Sequence, residues 1–361
     1  MSENNARSDF NPAGLATLIG SLPLSDHGEA LEWIYSHTPD IPLWPQLPCN
    51  PLEGMLKQFI EGFPGIVEEG QRTFFNIHTE SFEEDLLKFF EEYLIVSEDP
   101  DQLLSSRFQV SRERAGGLYL LKDKTAKKSG VTAVKGQITG PFTQLTGLKD
   151  QDNRLAYYDP TIREIGVKGI AMKAGWQVKF LSRLGLPTLM FVDEPAFAGL
   201  GSSSFVTISP DDLGQDMNEV FTAIKQNGGL AGVHVCANTD WNFLLSLDFD
   251  ILSFDAYGFF DRLITCKDQL YSFLNRGGII AWGIVPTSEE EQISNETTES
   301  LTAMWEKQAV MLEGPDWDLP ALLGRTIITP SCGTGALKPD FAKRVLELTR
   351  DLSAALREKY F

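Results

Sequence analysis

Short apolar and β-branched runs recur along the chain at residues 16–22, 42–47, 132–139, 188–193, 231–236, 250–255, 278–285 and 326–331, and stretches with helical spacing of apolar positions separate most of them. This alternation predicts repeated βα units. Eight such runs predict an α/β fold of the closed (β/α)8 kind, a TIM barrel of eight parallel strands. The punctuation agrees: Asp159-Pro160 and Ser209-Pro210 put an N-capping side chain just ahead of a proline at the first helical position, and Gly185 and Gly228 stand where left-handed C-terminal caps fall. Between residues 47 and 132 the chain is far longer than a βα connection needs and carries a helical pattern at 81–96. Residues 49–130 are therefore expected to form a helical insertion between the second and third strands, within a single barrel domain spanning 1–361.

Composition narrows the classes. Hydrophobic residues make up 42% of the chain, with 23 phenylalanines, enough to build a large core and to exclude disorder as the main state. The formal net charge of −19 argues against a nucleic-acid or anionic-membrane partner. The one concentration of positive charge, Lys122, Lys124, Lys127 and Lys128, has no interleaved aromatics and is expected on a solvated surface turn. No apolar run reaches the roughly 18 residues needed to span a bilayer, and the first residues lack the basic-then-apolar order of a secretory signal, so a cytoplasmic location is expected. The four cysteines, Cys49, Cys236, Cys266 and Cys332, are too scattered for a disulfide framework; in a reducing compartment such thiols more often bind metal or react.

In a barrel the chemistry gathers at the C-terminal strand ends. Those ends carry Ser21, Gln46, Gly140 with Thr143 just beyond, Asp193-Glu194, His234-Val235-Cys236, Asp255, Pro286-Thr287 and Cys332. His234 and Cys236 are two residues apart in a strand and so share a face. With Asp255 and Cys332 they offer nitrogen, sulfur and oxygen donors, a set that suits tetrahedral Zn2+ better than the all-oxygen shells of Mg2+ or Ca2+. The same residues also admit a reading without metal, in which the cysteines are small buried hydrophobes and His234 is a core histidine. Cys266 falls in a helical segment as a structural thiol, Cys49 opens the insertion, and Trp44 is expected in the barrel core.

Six stretches, Leu18-Ile19-Gly20-Ser21, Gly140-Pro141-Phe142-Thr143, Val192-Asp193-Glu194-Pro195-Ala196, His234-Val235-Cys236, residues 248–255 and Pro330-Ser331-Cys332-Gly333, resemble in order and approximate spacing the motifs of the catalytic domain of cobalamin-independent methionine synthase, a family of the uroporphyrinogen decarboxylase-like barrels. The resemblance runs from about residue 16 to 345 and is vague over the insertion. It implies that His234, Cys236 and Cys332 bind zinc, with Asp255 standing where the family has a glutamate ligand. It implies also that Ser21, Asp193 and Glu194 bind the substrate, and that Asp193 is catalytic, its carboxylate receiving the ammonium of a homocysteine-like thiol.

Three departures bear on the transfer. The family's full-length enzymes carry a second, N-terminal barrel that helps bind folate, for which 361 residues leave no room, so the methyl donor does not carry over. Where the family continues after its carboxylate ligand with a Ser-Arg pair, this chain reads Ala256-Tyr257-Gly258-Phe259. No counterpart of the family's amine-binding glutamate stands out within 49–130. The expected activity is zinc-dependent methyl transfer to a small-molecule thiol, homocysteine foremost, with a folate or a corrinoid protein as donor. The competing expectations are a metal-free decarboxylase-like barrel and a non-catalytic corrinoid- or metal-binding one.

Overall fold

The computed structural model describes residues 10–70, 72–200, 205 and 207–361; residues 1–9, where a secretory signal was sought, lie outside the described residues. An antiparallel hairpin, β1 (Ile66–Glu69) and β2 (Arg72–Phe75), precedes six strands: β3 (Val134–Thr139), β4 (Thr188–Asp193), β5 (Leu230–Val235), β6 (Ile251–Asp255), β7 (Ile279–Val285) and β8 (Thr326–Pro330). These six form one parallel sheet in sequence order, each paired with the next. Helices fill the connections, among them Pro160–Ser182 after β3 and Pro210–Gln226 after β4, and Pro339–Tyr360 follows β8. Every strand residue of the parallel sheet is buried, which is why these strands lack the strict apolar–polar alternation of a half-exposed strand and read as mostly apolar runs with a few buried polar residues such as Lys135 and Gln137.

The helix boundaries follow the predicted punctuation. Asp159 accepts hydrogen bonds from the Thr161 and Ile162 N–H groups at 2.9 and 3.0 Å, and Ser209 accepts from Asp212 at 3.5 Å. Gly185 and Gly228 adopt φ of 70° and 86°, the left-handed caps that glycine adopts at no steric cost. The helix at 81–96 runs from Phe82 to Glu98.

Two expectations need correction. The runs at 16–22 and 42–47 do not form ladder strands; single parallel bridges, Ala16 with Ile328, Ser21 with Gln46 and Leu43 with Lys135, tie them to β8, to each other and to β3. Pro42 and Pro45 have no N–H to donate, so a ladder through the second run is interrupted at both positions. The insertion, expected to be helical, also contains the β1–β2 hairpin. Gly65 and Gly70, at φ of 74° and 60°, turn the chain around two short runs rich in β-branched and aromatic residues.

Paired residues of a parallel sheet share a face, so the registers define what lines its concave side. At the N-terminal end stand Leu189, Leu230, Ile251, Ile279 and Ile327, which pack together as a separate apolar cluster. At the C-terminal end the aligned residues are Thr139, Asp193 and His234. The sheet therefore grades from an oily base to a polar rim.

The insertion packs closely on this rim. A Cβ placed on Gly117, in the helix Gly116–Thr125, would lie 2.5 Å from the Pro45 carbonyl oxygen and 3.1 Å from the His27 ring. We expect Gly117→Ala to lower unfolding free energy by about 1–3 kcal/mol in urea titration, because backbone on one side leaves the methyl nowhere to go. The lysine patch lies on and beside this helix: Lys124 pairs with Glu32 at 2.7 Å and Lys128 stands 4.2 Å over the Tyr35 ring. Among the described residues no helix is long and apolar enough to cross a membrane.

Candidate metal centre

Three of the four predicted ligands converge. The ligand atoms of His234, at the end of β5, Cys236, just beyond it, and Cys332, two residues past β8, lie within 4.8 Å of one another. Tetrahedral zinc with bonds of 2.0–2.3 Å needs ligand atoms about 3.3–3.8 Å apart, so a contraction on the order of 1 Å closes the set. His234 is buried, its Nδ1 lies 2.9 Å from the Ser253 hydroxyl, and its Nε2 has no hydrogen-bond partner. Burial pushes its pKa down to about 3, which leaves the imidazole neutral, the form that ligates metals. The two thiols adjoin: hydrogen bonding from Cys332 lowers the pKa of Cys236, and the same contact together with burial raises that of Cys332. A neutral imidazole with an orphaned nitrogen beside two thiols is a donor set that fits zinc.

Asp255 stands outside this group, contrary to the expected four-ligand set. Its Oδ1 accepts the Gly258 N–H at 2.8 Å and caps the helix Ala256–Leu263, while burial raises its pKa.

Ser21, Asp193 and the three converging ligands line one cavity of about 450 Å3. Asp193 ends β4, and its Oδ1 is buried without a partner. Burial raises its pKa, opposed by the ammonium of Lys135 in the floor of the concave side; burial lowers that of Lys135. Lys135 donates to the Ile19 carbonyl and, at 3.3 Å, to Gln137 Oε1. The Ser21 hydroxyl accepts from the Gly335 N–H at 3.2 Å, and its carbonyl accepts from Thr334. A Cβ on Gly333 would fall 2.3 Å from Ser21 Oγ, so the Cys332-Gly333 turn approaches Ser21 this closely because residue 333 has no side chain.

Glu194 is not placed as expected. It is fully buried and does not line the cavity; its carboxylate accepts from the Phe142 N–H at 3.0 Å, the Thr143 N–H at 2.8 Å and the Thr143 hydroxyl at 2.5 Å, at the start of the helix Pro141–Gly147. Neighbours in a strand point to opposite faces, so if Asp193 faces the cavity, Glu194 turns outward into the helix layer.

Other residues came only with the structure. Glu53, from the insertion, lines the cavity and is held by His27 Nε2 at 2.7 Å, by Asn50 at 3.1 Å and by the Leu47 N–H at 2.8 Å. Its one local signal is the Asn50-Pro51 helix start three residues earlier. Lys135 was readable as a charge inside an apolar strand run, and Ser253 as a hydroxyl inside the 250–255 run. Trp44 is core, its indole N–H donating to Gln177 at 3.1 Å. Cys266 is buried beside the helix Lys267–Asn275, and the exposed Cys49 thiol donates to the Leu24 carbonyl at 3.2 Å.

No family profile matches the chain. No curated protein matches it. Among solved structures, a B12-independent methionine synthase from Shewanella sp. W3-18-1, in complex with selenomethionine, aligns with 14% identity and a TM-score of 0.47 over 66% of this chain and 67% of that one. A protein from Listeria monocytogenes, provisionally assigned as a vitamin-B12 independent methionine synthase, aligns with 16% identity and a TM-score of 0.43 over 67% of this chain and 69% of its own. A GH20 catalytic module of the pneumococcal exo-β-D-N-acetylglucosaminidase aligns with 11% identity and a TM-score of 0.47 over 94% of this chain and 84% of its own.

Proposed function

We propose that this chain is a zinc-dependent methyltransferase that methylates a thiol, with homocysteine as acceptor and methionine as product. The observation that carries the proposal is the convergence of His234, Cys236 and Cys332 at a cavity that also holds the unpartnered carboxylate oxygen of Asp193. The six ordered sequence motifs support the same reading. Zinc bound by one imidazole and two thiolates would keep a substrate thiol ionised at neutral pH, below its free pKa of about 8.5. The two thiolates of Cys236 and Cys332 would offset the dication's charge and so suit alkylation of a bound thiol rather than hydrolysis, since hydrolytic zinc sites more often use imidazole and carboxylate ligands around an activated water.

The remaining work is alignment by the chain's own residues. Asp193 receives the acceptor's ammonium and Ser21 contacts its amino-acid end. The acceptor sulfur then attacks the methyl carbon in line: an S–C bond forms, the bond from methyl to carrier breaks, and its electron pair leaves with the carrier. The carrier comes from outside the chain, a methylated folate or a corrinoid protein, approaching beside residues 49–130. In this reading the bridged segments 16–22 and 42–47 complete an eight-membered barrel around the cavity, and reduced zinc-binding thiols suit the cytoplasm.

The test is zinc content of the purified chain, by mass spectrometry, with transfer of a labelled methyl group from methylated folate or corrinoid to homocysteine. About one zinc per chain with labelled methionine is expected. A chain that stays free of zinc after reduction and zinc addition sinks the reading. Asp193→Asn removes the ammonium's partner and keeps the ligands, so it is expected to retain zinc while raising the KM for homocysteine by about 10- to 100-fold, the value of one charge-assisted contact.

A further inference from the structure

We infer that Ser253 is a positioning residue that selects which ring nitrogen His234 presents to the metal. The inference rests on the metal centre proposed here and adds a residue to it. Ser253 is completely buried in β6, directly paired in register with His234 of the neighbouring strand, so both side chains project to the same concave face. Its hydroxyl lies 2.9 Å from His234 Nδ1, and the other nitrogen, Nε2, is buried and unpartnered.

A neutral imidazole carries one proton on one of two nitrogens, and only the bare nitrogen can ligate. With Ser253 Oγ accepting, the proton stays on Nδ1 and the lone pair of Nε2 is free for the metal beside Cys236 and Cys332. Packing does not call for a hydroxyl at this position. Residue 253 is flanked by Leu252 and Phe254 and paired on the other side with Ala281, so an alanine would suit the sheet equally well. What an alanine cannot do is accept the Nδ1 proton. Without that acceptor the ring is free to rotate and to exchange tautomers, and zinc binding must restore the order that the hydroxyl now supplies. Losses of outer-shell partners of this kind typically weaken metal binding by about 10- to 100-fold.

The experiment compares the full wild-type chain with Ser253→Ala in two measurements. Zinc affinity is read by competition with a chromophoric chelator. The His234 tautomer is read in the zinc-free chain by nitrogen NMR of labelled imidazoles, of which there are four. The expected result is an Nδ1–H tautomer in the wild type, a shift toward Nε2–H in Ser253→Ala, and zinc affinity lower by about 10- to 100-fold in the variant. A thermal melt of each zinc-free chain controls for folding.

Equal zinc affinity in the two chains overturns the inference and leaves the metal centre standing. Weakened affinity with an unchanged tautomer also overturns it, since that is the mark of a merely structural serine. A wild type that binds no zinc removes the centre and the inference together.

Discussion

Cys332→Ser is expected to leave the purified chain almost without zinc and without measurable methyl transfer, and Cys236→Ser is expected to do the same. A serine hydroxyl is not ionised at neutral pH and offers zinc no anionic donor, whereas a cysteine ligates as thiolate. Structural zinc sites bind with about 10–16 kcal/mol, so each of three or four bonds is worth on the order of 3–4 kcal/mol, or two to three orders of magnitude in affinity. The loss should be specific. Cys266, buried beside the helix Lys267–Asn275, and the exposed Cys49 lie outside the cluster, so Cys266→Ser and Cys49→Ser should retain about one zinc per chain. Metal analysis of the four variants under reducing conditions decides the matter, and full zinc in Cys332→Ser would remove the centre.

Gly140→Ala is expected to cost about 3–5 kcal/mol of unfolding free energy, an unusually large price for one methyl group. A Cβ at residue 140 would lie 2.1 Å from Glu194 Oε1 and 2.3 Å from its Cδ. The Glu194 side chain cannot step aside freely, because its oxygens hold the Phe142 and Thr143 N–H groups and the Thr143 hydroxyl. Burial pushes the Glu194 pKa up to about 8, so these are bonds to a largely neutral carboxyl group, worth about 0.5–1.5 kcal/mol each, and displacing it strains or breaks several at once. Glu194→Ala alone should cost about 3 kcal/mol by loss of the same bonds. The double variant should then be more stable than the sum of the two losses by about 1–2 kcal/mol, since removing the carboxylate makes room for the methyl. Urea titration of the four chains measures this, and strict additivity would show that Gly140 and Glu194 do not share one clamp.

The clamp also shows why adjacent residues took different roles. Asp193 and Glu194 are neighbours in the sequence and both end up buried, yet one lines the cavity and the other locks a helix to the sheet. Their type and position were legible as a strand-end acidic pair. Which side each one serves follows from the twofold alternation of the strand once the concave side is known, and the concave side is a property of the curled sheet. Asp255 differs in a similar way. A carboxylate at a strand end suits a ligand or a helix cap, and the helix starting at Ala256 takes it as a cap.

The strands of the parallel sheet and the helix caps at Asp159 and Ser209 were determined by the sequence alone, because each depends on spacing along a few residues of backbone. Tertiary structure alone decided what depends on segments far apart. It joined Cys332 to a cluster begun at His234, seated His27 against Glu53, placed Ser253 beside the imidazole, and reduced the two proline-broken runs near the start to single bridges. These contacts arise when the sheet curls and brings separate strand ends to one rim, and no local period in the chain encodes which side chains then meet.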